Sequence, residues 1–296
     1  MPETRPPLTL QTLLAANPNT IALRSGELRS PLVNFAFADV KTVNRAFKAL
    51  VREQKFDLGE VAVVTFLQAK AHGKPYVLMP AVIVARGQHH TIFFNPERGH
   101  LNPGDLNGRR VGVRAYTQTT GAWVRGFLQE DYGVDFRSIQ WVTFEDPHVA
   151  EYTDPPWVRR APEGKQLLQM LIDGEIDAAI FGSENPEGTP LMPLIPDAAE
   201  VATRWAEKHG GLPINHMMVI RESITQERPD VVREVYRMLK ESAAAGPSTK
   251  MGAPRFGVEA ARKSLEIISR YSECQGLIPR RFSVDELFND VTRSLD

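Results

Sequence analysis

The segment DLNGRRVGVRAYTQTTGAWVRGFLQ, Asp105 to Gln129, reads as a turn, a short buried strand at residues 111–113, a polar loop over 114–120 and then a helix. Thr117, Gln118, Thr119 and Thr120 place four hydrogen-bonding side chains in a row between strand and helix. The helix N-terminus behind them leaves backbone N–H groups without intrahelical partners, and such a place attracts anions. The plainer alternative is that Thr119 or Thr120 is only an N-cap. A strand, loop and helix in this order open a βαβ series, so a second lobe is expected to start near residue 105.

Upstream of it, strands are expected at 8–10, 32–37, 77–85 and 91–95, with helices at 20–25 and 63–71. Apolar Val40, Val43, Ala46, Phe47, Leu50 and Val51 at helical spacing predict an amphipathic helix over 40–54. Residues 1–7 read as an unstructured lead-in, and 56–61 as a turn. Downstream, a turn and strand are expected over 133–142. A long polar, proline-bearing segment comes after it at 144–164, of the length that functional or mobile loops have. A helix at 164–172 and a strand ending at Phe181 come next. The remainder reads as a helix at 198–209, a strand at 217–220 with Ser223 capping the segment after it, and helices at 231–245 and 258–269. A last helix over 283–295 is expected behind the capping signature Ser283-Val284-Asp285-Glu286. Strands alternating with helices argue for an α/β architecture. The expected division is 1–94 for the first part of lobe I, 95–196 for lobe II, and 197–296 for the return to lobe I with the C-terminal helices.

A chain of 296 residues is long enough for two lobes with a sizeable core. Its 35 basic residues against 36 acidic leave no overall basic field, which argues against nucleic acid or an anionic membrane and for a small ligand. One cysteine, Cys274, excludes an intramolecular disulfide and multi-cysteine zinc or iron–sulfur patterns, and fits a reducing compartment. The first twenty residues lack a basic region followed by an apolar run, and no segment approaches the length of a membrane span. With Met1 taken as native, a cytoplasmic location is expected.

Two phrases, Asp105-Leu106-Asn107-Gly108-Arg109-Arg110-Val111-Gly112-Val113 and Asp173-Gly174-Glu175-Ile176-Asp177-Ala178, resemble segments of the second lobe of type 2 periplasmic-binding-protein folds. A narrower resemblance, from about Phe56 onward, is to the 4,5-dihydroxyphthalate decarboxylase family. It rests on Phe56-Asp57-Leu58-Gly59-Glu60, on Arg86-Gly87-Gln88-His89-His90-Thr91, on Trp123-Val124-Arg125-Gly126 with Tyr132-Gly133-Val134, and on Pro213-Ile214-Asn215-His216-Met217-Met218-Val219-Ile220-Arg221. His89 stands where the family has an arginine, Thr91 where it has a serine and Asn215 where it has a methionine. The opening of the family is matched poorly by residues 17–25.

The resemblance implies an α/β, two-lobed fold of the type 2 periplasmic-binding-protein kind with a ligand cleft between the lobes, into which His90, residues 117–120 and His216 converge. It implies decarboxylation of a hydroxylated aromatic dicarboxylate, a small aromatic carboxylate being the partner. Ring protonation needs a proton donor, for which His216 and His90 are suited, with Glu60 to orient a histidine or a substrate hydroxyl. A retained carboxylate needs cationic or N–H anchors, for which Arg86, Tyr116, Thr117, Gln118, Thr119, Thr120 and Arg125 are candidates. No cofactor and no metal are expected, and the oligomeric state is left open. Each residue has a plainer role: structural hydrogen bonding for the two histidines, ion pairs for Arg86 and Arg125, capping or packing for Glu60. His89 and His90, as neighbours on a strand, are expected to face opposite ways and so not to share an ion. Glu145, Asp146, His148 and Glu151 read as a solvated lid. Competing functions are a solute-binding protein of an ABC-type transporter, which uses the same fold without chemistry, and a ligand-sensing or pyrimidine-synthesising relative.

Overall fold

The computed structural model describes residues 6–182, 186–246 and 255–296. In chain order the first elements are β1 (Leu8–Leu13), α1 (Ile21–Arg24), β2 (Val33–Phe37), α2 (Phe47–Val51), β3 (Leu58–Ala62), α3 (Val63–Ala71) and β4 (Tyr76–Ala85). They are followed by β5 (Ile92–Phe94), β6 (Arg110–Val113), α4 (Thr119–Tyr132), β7 (Gln140–Thr143), β8 (Val158–Arg160), α5 (Leu167–Ile172), β9 (Ala178–Ile180), β10 (Met192–Pro193) and α6 (Ala198–His209). The last are β11 (Ile214–Arg221), α7 (Glu222–Glu227), α8 (Pro229–Ala245), β12 (Arg255–Phe256), α9 (Val258–Cys274) and α10 (Asp290–Arg293). They form two compact units: unit 1 is Met1–Arg86, Ile214–Glu266 and Phe282–Asp296, and unit 2 is Gly87–Pro213 and Ile267–Arg281. Among the described residues no helix is long and apolar enough to cross a membrane.

Unit 1 is built on a six-stranded sheet of order β12-β4-β11-β3-β1-β2. β1 runs parallel to β2 and β3, whereas β11 lies antiparallel between β3 and β4. All five residues of β3 are buried, and β4 is a near-continuous apolar run, the pattern of strands covered on both faces. The amphipathic helix α8 covers one face, packing Val231, Val235 and Leu239 against Leu10, Leu58, Met79 and Met218. Pro80 sits within β4 and has no N–H to give to β11. The β11–β4 register shifts around it, between Ile214 and His216, between His216 and Met217, and between Met217 and Val219. Such irregularities re-aim side chains, and His216 lies among them.

Unit 2 has a second six-stranded sheet, order β10-β5-β9-β6-β7-β8, in which β6 is parallel to both β7 and β9. α4 is buried along Thr119 to Leu128 and stops at Gly133, which takes the left-handed conformation (φ 67°) that a helix C-terminus favours. α6 packs on the turn before β5 so closely that a Cβ at Gly87 would lie 2.6 Å from that of Ala202.

The units divide differently from the ranges 1–94, 95–196 and 197–296. The chain leaves unit 1 after Arg86 because β5 pairs with β9, and it stays in unit 2 through α6, whose Trp205 packs on Phe127. The second half of α9 also belongs to unit 2, where Tyr271 meets Trp123.

Several local expectations change as well. Residues 56–61 are not a turn throughout, since β3 begins at Leu58. The helix expected over 40–54 is a 3-10 turn, Val43–Ala46, then the short α2, because the backbone leaves α geometry at Ala46 (φ −100°, ψ 0°). Ser223 lies inside α7, whose N-cap is Arg221. At 283–295 half of the expected capping box forms, Ser283 N–H donating to Glu286 Oε2 (2.7 Å), while Ser283 Oγ bonds the same carboxylate oxygen (3.0 Å). These bonds support only the 3-10 turn Asp285–Leu287, after which extended Phe288 interrupts and Asn289 caps α10 afresh. The polar segment 144–164 contains β8, and the lead-in expected at 1–7 lies mostly outside the described residues.

Candidate active site

On antiparallel β3 and β11, Glu60 pairs with Met218 and Ala62 with His216. Strand residues two apart share a face, so Glu60 and His216 are diagonal neighbours, a separation that long side chains bridge. His216 Nδ1 lies 2.7 Å from Glu60 Oε1, and Glu60 Oε2 accepts the Ala15 N–H at 2.9 Å. An ionised carboxylate only accepts hydrogen bonds, so Nδ1 carries a proton and the ring tautomer is set. Both oxygens of a side chain only 1% exposed are thereby satisfied, which offsets the cost of burying the charge. The His216 side chain is 22% exposed, with Phe47 edge-on to its ring at 5.5 Å. Nε2 is then the nitrogen left for a ligand, and an imidazole held this way is equipped to move a proton at that atom.

In unit 2, residues 117–120 lead from β6 into α4 as read. The N-cap is Gln118 rather than Thr119 or Thr120, and its side chain makes no capping bond. Thr117 Oγ1 and Gln118 Oε1 are buried without a hydrogen-bond partner among the described residues. Buried polar atoms in that state call for an explanation, and a bound group is one. Gln118 lies against the loop after β9, where a Cβ at Gly182 would sit 2.8 Å from its Nε2.

Tyr116 and Arg125 are interior, 1% and 0% exposed. Arg125 donates from Nη2 to the Tyr116 carbonyl and from Nε to Gln275 Oε1, both at 2.7 Å, and its guanidinium lies 3.9 Å from the Tyr116 ring centroid. Gln275 in turn donates to the Ala122 carbonyl at 2.9 Å. The Tyr116 hydroxyl donates to the Gln275 carbonyl (3.3 Å) and accepts from Trp157 Nε1 (3.0 Å). Burial lowers the Arg125 pKa and raises that of Tyr116. Among the described residues Arg125 has no carboxylate partner, so the ion pair offered as its plainer role does not form. The network instead fixes the strand–loop–helix turn from inside, and among the described residues Nη1 of Arg125 finds no hydrogen-bond partner.

His89 and His90 are not on a strand but in the 3-10 turn His89–Thr91, so the face argument made for them does not apply. His89 is fully buried, its ring stacked 4.0 Å from Phe127 and its nitrogens without hydrogen bonds among the described residues. Burial, opposed by nearby Asp131, pushes its pKa down to about 4. His90 is half-buried and belongs to unit 2, whereas His216 belongs to unit 1. Arg86 closes the first segment of unit 1, half-buried, with burial lowering its pKa. In the loop read as a lid, Asp146 pairs with Arg160 and Glu145 Oε2 lies 3.7 Å from Arg114. No group of three or more His, Cys, Asp or Glu among the described residues is arranged to hold a metal ion.

Comparison with known proteins bears on this geometry. A 4,5-dihydroxyphthalate decarboxylase of Comamonas testosteroni is 32% identical over 206 residues, 65% of this chain and 62% of that protein. That of Pseudomonas putida is 32% identical over 167 residues, 52% of this chain and 64% of the other. The chain is a sequence relative of the 4,5-dihydroxyphthalate decarboxylases. The alignments span somewhat under two thirds of those relatives' length. No family model matches the chain. Among solved structures, the alkanesulfonate-binding protein SsuA of Xanthomonas axonopodis pv. citri matches with a TM-score of 0.59 and 13% identity, covering 96% of this chain and 99% of that one. The SsuA of Escherichia coli gives 0.60 and 13%, covering 92% and 88%. The desulfurization enzyme DSZB gives 0.56 and 14%, covering 97% and 98%. The fold is therefore the two-lobed, periplasmic-binding-protein-like one, and it carries a binding protein and an enzyme alike.

Proposed function

We propose that the chain is a carboxy-lyase that decarboxylates a hydroxylated aromatic dicarboxylate such as 4,5-dihydroxyphthalate. The observation that carries this reading is the Glu60–His216 pair, a buried carboxylate bonded at 2.7 Å to a partly exposed imidazole, in a chain similar to such decarboxylases. In the reaction, His216, its Nδ1–H held on Glu60 and a second proton taken up at Nε2, gives the Nε2 proton to the ring carbon bearing one carboxylate and returns to the Nδ1–H tautomer. The hydroxyl para to that carbon donates electrons and stabilises the cationic or quinoid intermediate. The carbon–carboxylate bond then breaks, its electron pair restores the aromatic ring, and carbon dioxide leaves. From 4,5-dihydroxyphthalate the product is protocatechuate, and water returns a proton to His216. Glu60 keeps the ring oriented and its tautomer fixed. Residues 117–120, with the α4 N-terminus and the orphaned Thr117 hydroxyl, are suited to a substrate carboxylate. The setting proposed is the cytoplasm.

The test is incubation of the purified chain with 4,5-dihydroxyphthalate, following carbon dioxide and protocatechuate. Formation of both in equal amounts supports the reading. Tight binding without either product supports a non-catalytic binder on this fold instead.

A further inference from the structure

Arg24 ends the single helical turn α1 in unit 1 and is half-buried. Two contacts hold its guanidinium: Nη1 donates to the Leu14 carbonyl at 2.5 Å, and its central carbon lies 4.8 Å from the centroid of the Phe37 ring. Among the described residues no carboxylate pairs with it, and its Nε and Nη2 donors have no acceptor. A guanidinium partly removed from water, seated on an aromatic face and lacking a counter-ion has the fork geometry that carboxylates fit.

Its position points the same way. The Leu14 carbonyl and the Ala15 N–H belong to one peptide group, and that N–H donates to Glu60 Oε2. One planar unit therefore joins Arg24 to the Glu60–His216 pair and keeps Nη1 within about 8 Å of Glu60 Oε2. Leu13 and Phe37 are the last residues of the parallel strands β1 and β2, and Leu13 pairs with Gly59 of β3. The carboxyl ends of such strands are where open α/β sheets take their ligands.

We propose that Arg24 is a substrate-binding residue that holds a carboxylate of the aromatic substrate beside His216, an inference that rests on the decarboxylase reading for the identity of that substrate. Its fork grips the carboxylate that is retained, so the ring carbon to be protonated stays before Nε2. The product keeps this carboxylate and meets the same arginine.

The test is calorimetric binding of protocatechuate to the wild type, Arg24→Gln and Arg24→Lys, and of 4,5-dihydroxyphthalate to the same three chains carrying His216→Asn, which suppresses turnover. Loss of a charge-assisted pair weakens both ligands about 10- to 100-fold in Arg24→Gln, and Arg24→Lys recovers part of the loss. Affinities of Arg24→Gln within twofold of the wild type overturn the proposal. Should Arg24→Gln fail to fold, Arg24→Lys decides: at least threefold weaker binding supports the proposal, and unchanged binding overturns it. Protocatechuate does not react, so its affinity is read whether or not the chain is a decarboxylase, and a wild type that binds it in this way yet releases no carbon dioxide from 4,5-dihydroxyphthalate sinks the decarboxylase reading alone.

Discussion

Replacing Glu60 by glutamine separates orientation of His216 from every other contribution to the site. In the wild type both Glu60 oxygens accept, one from Ala15 N–H at 2.9 Å and one from His216 Nδ1–H at 2.7 Å. Glutamine offers one acceptor and one donor. If its oxygen stays on Ala15, its NH2 faces Nδ1, which must then give up its proton, and the ring moves to the other tautomer. If the amide turns round, the Ala15 N–H loses its acceptor beside a buried donor. Either outcome costs about 1–3 kcal/mol of stability, since one buried charge-assisted bond is lost. The larger effect is on chemistry: a misassigned proton on the working imidazole is expected to lower kcat on the order of 10²- to 10⁴-fold. KM should move little, because Glu60 is 1% exposed and both its oxygens are already taken by Ala15 and His216. Steady-state decarboxylation of 4,5-dihydroxyphthalate gives both constants, and nitrogen NMR of His216 reports the tautomer directly. A variant with kcat within threefold of the wild type, or one whose Nδ1 stays protonated while kcat collapses, would show that Glu60 does not act by setting the tautomer.

Three further outcomes are expected from the same geometry. His89 has a folded-state pKa of about 4, below its usual value of roughly 6.5, so its contribution to stability is complete above about pH 6.5 and is lost as pH falls towards 4, by up to about 3 kcal/mol. Urea titrations at neutral and acid pH should show a smaller acid loss for His89→Phe than for the wild type, and equal losses would dismiss the effect. Thr117→Val keeps the shape of the side chain and removes the buried, unpartnered hydroxyl. Binding of the dicarboxylate should weaken roughly tenfold, and unchanged affinity there and in Thr119→Ala and Thr120→Ala would leave the loop a helix start and nothing more. At Gly126 an added Cβ would lie 2.0 Å from Tyr271 Cε2. Gly126→Ala should therefore lose about 1–3 kcal/mol in thermal melts through overpacking, and an unchanged melting temperature would contradict that contact.

How far the fold can be read from the chain alone depends on how far local pattern decides local geometry. In the segment from Asp105, an apolar strand, a polar loop and a helix are found as β6, residues 114–118 and α4, because buried periodicity and the Gly133 stop agree with the tertiary environment. Residues 198–209 match α6 for a similar reason, an amphipathic helix stopping at left-handed Gly210. β3 is hidden by its composition, since a glycine and a glutamate make Leu58–Ala62 resemble a turn while every residue in it is buried. That buried glutamate is itself the signal, as an acid in an interior strand needs partners. The fork of Arg125 is legible as polar, but only the fold reveals that it closes on Gln275, 150 residues away. Arg24 carries no motif at all, and its standing comes from the carbonyl and ring that the fold brings to it.

The role of His216 is decided by comparing wild type and His216→Asn with 4,5-dihydroxyphthalate under one set of conditions, following product by proton NMR. The wild type is expected to form protocatechuate with release of carbon dioxide, and the variant to bind the substrate with turnover reduced at least about 100-fold. Equal turnover by both proteins would mean that the proton comes from elsewhere.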